Sequence, residues 1–283
     1  MKLTKRDNEL LHGLSKYGMF STKQIVELYF NGTDSATVLR RLRLVEAENY
    51  LRRVGKLETN EVLWGVTLKG GEHSGAEHFK THWSKSMLEH DHKLVSLRLI
   101  LERLGIVKSW TPEHQIRSMI YKKYSLREAK NKLIPDGLID VSIKKYSESI
   151  AIELELNLKN TSKYQKIIYA YQGKDGLHAV WYIVSSQSIY NCLKNYWNKG
   201  RSSYSKLKVY ISFLEDIKMV GIEAKMFGLD STYLIKDYFD LQISILQGAQ
   251  LTAQVMSTPC LNLNHTNMNL SSELHTPFVG FKN

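Results

Sequence analysis

LIPDGLIDVSIKKYSESIAIELELNLKNTSKYQKIIYAY, residues 133–171, is the stretch on which the reading of this chain turns. Pro135-Asp136-Gly137 interrupts an apolar run of Leu133, Ile134, Leu138, Ile139 and Val141. The polar residues Lys144 to Ser149 then lead into Ile150-Ala151-Ile152-Glu153-Leu154-Glu155-Leu156. Two apolar runs joined by a polar turn predict a β-hairpin. Side chains alternate across a strand, so Glu153 and Glu155 share one face. Two carboxylates on a buried face are costly unless positive charge lies between them. With Asp136 on the neighbouring strand, three carboxylates can converge on a hard cation such as Mg²⁺ or Mn²⁺, which favours oxygen ligands.

A plainer reading makes the opposite prediction. Glu153 and Glu155 would point to solvent from an edge strand, with Ile150, Ile152, Leu154 and Leu156 buried, and Pro-Asp-Gly would be an ordinary turn. Convergence of Asp136, Glu153 and Glu155 within metal-bridging reach favours the first reading, and an outward-facing glutamate pair the second. The surrounding composition suits the first: residues 121–166 hold ten Lys or Arg against six Asp or Glu, three of them the proposed ligands. A basic rim around an acidic pocket suits phosphodiester chemistry, with the rim holding the polyanion. The same composition would also serve a DNA-binding platform without catalysis.

The whole chain of 283 residues carries a formal charge of +11, and its pI is near 9.4. Such a surplus points to a polyanionic partner, nucleic acid first and an acidic membrane surface second. Two cysteines, Cys192 and Cys260, form neither a metal nor a disulfide framework and fit a reducing compartment. No signal-peptide core and no run of about eighteen apolar residues is present, so a cytoplasmic protein without a membrane span is expected.

Residues 1–72 read as a winged helix-turn-helix DNA-binding domain. Thr4 caps a helix to about Tyr17, Gly18 stops it, Ser21 caps a second, and Thr33 or Asp34 starts a third to about Ala47. A hairpin follows, from Tyr50 to Val54 and from Val62 to Leu68. In this plan the third helix enters the major groove and the hairpin is the wing. Ser35, Thr37, Arg40, Arg41 and Arg43 lie largely on the outer side of the third helix. Its arginines are the expected groove and phosphate contacts, and Arg52, Arg53 and Lys56 on the wing neutralise phosphates. Winged helices also serve as protein–protein modules.

Gly70, Gly71 and Gly75 suggest a linker, followed by one long helix or two over residues 76–104. The first strand of a second domain, 76–225, is expected within 107–117. Tyr121 to Lys132 forms a basic loop or short helix that brings Lys122 and Lys123 ahead of Asp136. A helix over 157–171 carries Lys159 at its start and Lys163 as a phosphate contact. The run Ala179 to Val184 is a buried strand, Ser186 caps another helix, and Leu207 to Phe213 is the last strand. Residues 226–283 are a C-terminal helix, at about 230–247, and a poorly ordered, nearly uncharged tail. The fold class is α+β, a winged helix-turn-helix followed by a mixed α/β core.

Pro135-Asp136 and Glu153-Leu154-Glu155 together resemble the PD-(D/E)xK nuclease superfamily and its restriction-endonuclease-like core. The departure is Glu155 at the lysine position, with Lys159 four residues beyond. The wider layout resembles the plasmid replication-relaxation family, which groups with the mobilisation-type C relaxases. That likeness rests on the N-terminal plan, on LEHDHKLVSLRLILERLG, on IPDGLI, and on IELELNLKNTSKYQKIIYAY, and covers roughly residues 5–215. The resemblance implies a metal-dependent nickase acting on double-stranded DNA at a mobile element's origin of transfer or replication. It implies Mg²⁺ or Mn²⁺ on Asp136, Glu153 and Glu155, with Glu89 or Asp91 added from the preceding helix. Lys159 would hold the scissile phosphate or help activate water, and the tail would meet other transfer or replication proteins. The competing expectation is a non-catalytic transcription or replication regulator built on a degenerate nuclease-like core.

Overall fold

Thr4 and Asp7 exchange hydrogen bonds at the start of the chain: the Asp7 amide donates to Thr4 Oγ1 and the Thr4 amide to Asp7 Oδ2. This capping box starts α1, Lys5–Tyr17, which ends at Gly18 with φ of 91°. The computed structural model describes residues 2–143, 146–172, 176–200 and 206–241. After β1, Phe20–Ser21, the Ser21 hydroxyl caps α2, Thr22–Tyr29, and Asp34 caps α3, Ser35–Ala47. The strands β2, Leu51–Lys56, and β3, Val62–Val66, pair antiparallel, and β1 adds to the other edge of β3. Leu10, Leu14, Ile25, Val38, Leu42 and Trp64 fill the core between these helices and the small sheet.

Of the glycines expected to form a linker, Gly70 and Gly71 instead lie in a short helix, α4, Leu68–His73, and Gly75 follows it in a turn with φ of 71°. A Cβ at Gly70 would stand 2.0 Å from the Tyr50 carbonyl oxygen, and one at Gly71 would stand 2.2 Å from the Phe79 ring. Close packing, rather than chain freedom, is what these two positions require. The expected helix over 76–104 is also shorter. Residues 76–84 run without regular structure, with Phe79 and Trp83 packed on the N-terminal core, and α5 spans Leu88–Arg103. One helix serves two cores: Leu88 and Val95 belong to the first, Leu97 and Leu101 to the second.

The second core is built on a seven-stranded mixed sheet, so the chain is α+β. In chain order it comprises β4, Ser109–Pro112; α6, Glu113–Lys123; α7, Leu126–Ala129; β5, Gly137–Ile143; and β6, Tyr146–Glu155. Then follow α8, Thr161–Gln172; β7, Ala179–Val184; α9, Gln187–Gly200; β8, Lys208–Phe213; and α10, Leu214–Val220. The series ends with β9, Lys225–Gly228; β10, Thr232–Leu234; and α11, Ile235–Tyr238. The strand order is β10-β9-β8-β7-β6-β5-β4. β6 is antiparallel to β5 and parallel to β7, which places it inside the sheet.

Three expectations change here. The strand expected within 107–117 is four residues long, because Pro112 begins the turn into α6. β8 is followed by two further short strands. In place of the C-terminal helix expected at about 230–247, Thr232–Leu234 is strand β10 and Ile235–Tyr238 the short α11, and residues 242–283, with the tail, lie outside the described residues. No helix among the described residues is long and apolar enough to cross a membrane.

Candidate carboxylate site

The two faces of β6 are both covered. Ile150, Ile152 and Leu154 join the core on one side, while Ala151 packs with Tyr164, Ile168 and Tyr171 of α8 on the other. Glu153 and Glu155 lie on the α8 side and are 7% and 2% exposed. The edge-strand reading of this pair is thereby overturned.

Each carboxylate has a partner. The Tyr171 hydroxyl donates to Glu153 Oε1 from α8, and the Lys159 ammonium donates to Glu155 Oε1. Lys159 precedes α8 instead of opening it; Asn160 Oδ1 accepts from the Lys163 amide at 3.0 Å. Asp136, just before β5, accepts from the Leu154 amide at 2.8 Å. His90 Nε2 of α5 stands 3.4 Å from Asp136 Oδ2 and 3.1 Å from the Leu154 carbonyl oxygen. Behind it, His90 Nδ1 is 3.6 Å from Asp91, which is 2.6 Å from the Lys80 ammonium.

The electrostatics follow from burial. Desolvation, reinforced by the charge on Asp136, pushes the Glu153 carboxyl up to about 8, against the opposing Tyr171 hydrogen bond. Glu155 is also raised by burial, with Lys159 acting against the rise. Burial opposes the charge on His90, but the neighbouring carboxylates of Asp136 and Asp91 prevail and hold it up at about 10. Burial therefore favours the protonated, neutral form of Glu153 at neutral pH.

As a metal cage the residues fit in chemistry but not in placement. Asp136, Glu153 and Glu155 are hard oxygen donors of the type that Mg²⁺ or Mn²⁺ takes. Yet among the described residues no three His, Cys, Asp or Glu side chains are grouped to hold a metal ion. Lys159 engages Glu155 and His90 engages Asp136.

Glu89 does not join them. Its Oε1 accepts from the Glu58 amide at 3.0 Å, beside the β2–β3 turn. The residue that α5 delivers is His90, with Asp91 behind it. The helical period held the signal: His90, Leu94, Leu97 and Leu101 fall on one stripe, and the three leucines pack on the sheet core. Tyr171 and Lys80 had no comparable local signature.

Of the expected DNA contacts, Ser35, Thr37, Arg40 and Arg43 are exposed on α3, and Lys56 is exposed on β2. Arg41 is turned inward onto Asp7, with its Nε at 3.0 Å from Asp7 Oδ1. Arg53 is 2.7 Å from Glu46 and lies over Trp64, and Arg52 lies over the Trp83 ring. Lys122 stands 3.6 Å from Glu77, Lys123 lies near the Tyr124 ring, and Lys163 is exposed on α8.

No family model and no curated protein matches the chain. A solved structure, a double mutant of Lactococcus lactis ZitR, matches at 18% identity over 46% of this chain and 76% of that one. Its TM-score of 0.22 carries no argument about this fold.

Proposed function

We propose that this is a DNA-processing protein of a plasmid or other mobile element. In this reading the N-terminal helices and small sheet act as a winged helix-turn-helix on double-stranded DNA. The seven-stranded unit is a restriction-endonuclease-like core that nicks one strand at an origin of transfer or replication. The observation that carries the reading is the burial of Glu153 and Glu155 on one face of an interior strand, beside Asp136. Titratable groups buried and shifted from their ordinary range in this way cluster at sites with chemical work to do. Mg²⁺ or Mn²⁺ would be held by Asp136, Glu153 and Glu155, after Lys159 and His90 release their partners. Such a cation would supply charge to polarise a phosphodiester and acidify water. Lys159, once released from Glu155, would hold a phosphate oxygen, and Arg40 and Arg43 would anchor the duplex.

A second reading is a non-catalytic transcription or replication regulator, favoured by the existing Lys159–Glu155 and His90–Asp136 pairs. Supercoiled plasmid bearing the element's origin separates the two when incubated with Mg²⁺, Mn²⁺ or EDTA. The nickase reading expects metal-dependent open circles that are lost in Asp136→Ala and Glu155→Ala. Salt-sensitive binding without cleavage under either metal would sink it and leave the regulator.

A further inference from the structure

The positive charge of this chain is not spread evenly. Residues 156–214 hold nine Lys or Arg and a single acidic residue, Asp175, so this one segment carries most of the +11. By contrast, residues 1–72 hold twelve basic and nine acidic residues. Four of the nine, Lys163, Lys166, Lys194 and Lys199, lie on α8 and α9, neither of which contains an Asp or Glu. The two helices lie side by side on one face of the sheet. The Tyr164 and Tyr196 rings stack at 5.6 Å, and the Thr161 and Tyr196 hydroxyls are 2.6 Å apart.

The outer side of α8 presents Lys163, Lys166 and Tyr169 at successive intervals of three residues, all exposed. Tyr169 is 82% exposed, the most open of the large apolar side chains on the described surface. Its neighbour Tyr171, two positions on, turns inward to Glu153. Lys199 is exposed on α9. A cationic surface free of carboxylates attracts phosphates along its length, and an exposed ring among the cations offers a stacking face to an unpaired base. Duplex DNA hides those base faces, so the tyrosine would gain little from it.

We propose that the α8–α9 face is a binding surface for single-stranded DNA, with Lys163 and Lys166 on phosphates and Tyr169 stacked on a base. The proposal rests on the reading that the chain handles DNA, though not on whether it cuts. Its place beside Lys159 and Glu155 would keep a released strand next to the carboxylate site while α3 holds the duplex.

The test uses the full chain in EDTA, so that cleavage plays no part. Anisotropy measures its binding to a fluorescein-labelled oligothymidylate and to a labelled duplex of equal length over a salt series. Tyr169→Ala is expected to weaken single-strand binding about tenfold and leave duplex binding unchanged, with Tyr169→Phe close to wild type. Lys163→Ala/Lys166→Ala is expected to lower the salt slope on the single strand by about 1.4. Arg40→Ala/Arg43→Ala should weaken the duplex alone. Wild-type single-strand affinity and salt slope in the Tyr169→Ala and double-lysine variants would overturn the proposal. Equal losses on both DNA forms for Tyr169→Ala would overturn the stacking role. Failure of plasmid nicking, with these differences intact, would count against the nickase reading alone.

Discussion

Arg41 closes its guanidinium on Asp7, linking α3 to the first turn of α1. Asp7 is 1% exposed and also receives the Thr4 amide, so its charge is neutralised within the fold. An arginine that reads as a DNA contact on a helical wheel is thus a structural clamp. Truncation in Arg41→Ala would leave a buried carboxylate with its cap but no cation, at a cost of about 3 kcal/mol. Urea unfolding should show this as a lower midpoint with an unchanged slope. The pH dependence has a definite sign. Burial raises the Asp7 pKa, but the hydrogen bonds from Arg41 and Thr4 outweigh it and hold the group below its usual 3.8. The stability it contributes is fully present above that value and is lost as pH falls through the folded pKa. Arg41→Ala should therefore flatten the acid limb of the stability curve, and an unchanged limb would contradict the clamp.

Glu153 works in the opposite direction. With its carboxyl pushed up to about 8 from an ordinary 4.5, the folded protein holds a proton that the unfolded chain releases. Stability should then fall as pH rises from about 5 to 8, because folding at the upper end requires either proton uptake or a buried charge. Glu153→Gln keeps the shape and an acceptor for Tyr171 while removing the titration. It should equal wild type near pH 5 and exceed it at pH 8 by about 1 kcal/mol or more. Thermal melts at the two pH values read the difference directly. A variant less stable than wild type at pH 8 would show that the carboxylate is instead held ionised by its neighbours.

These two residues also show where sequence reasoning reaches its limit. The caps at Thr4, Ser21 and Asp34 were legible because each is a local bond between a side chain and an amide three residues on. The apolar run of β7 was legible because burial on both faces leaves no polar position. Alternation in β6 stated that Glu153 and Glu155 share a face, but not that α8 covers it, since that depends on how separate elements pack. Arg41 looked free because Asp7 lies 34 residues away. Gly70 and Gly71 suggested a linker because glycine signals both freedom and close approach, and only the Tyr50 carbonyl and the Phe79 ring decide between them. At four and three residues, β9 and β10 are too short for any period to emerge.

Arg98 provides the last test, on the joint between the two cores. It is 3% exposed on α5, donates from Nη1 to the Lys16 carbonyl at 3.0 Å, and donates from Nε to Glu102 at 3.0 Å. Its guanidinium lies 4.2 Å from the centre of the Tyr17 ring and 5.6 Å from that of Trp110. Tyr17 ends α1 and Trp110 lies in β4, so one side chain ties the N-terminal helices to the edge of the large sheet. The planar fork allows this, because it can stack on rings while its edge donates from separate nitrogens, whereas a lysine has no plane and carries its donors on one nitrogen. Arg98→Ala should cost about 2 kcal/mol, since the Lys16 carbonyl loses a donor and Glu102 keeps only Tyr17 and Lys16 as partners. Arg98→Lys should recover only part of that loss. Because α5 still contributes Leu88 and Val95 to one core and Leu97 and Leu101 to the other, the loosened protein should unfold from the N-terminal side first. Hydrogen exchange would show this as faster amides in α1 and β3, with β6 and β7 little changed. Wild-type stability in Arg98→Lys would mean that charge alone suffices at this joint, and the stacking account would fail.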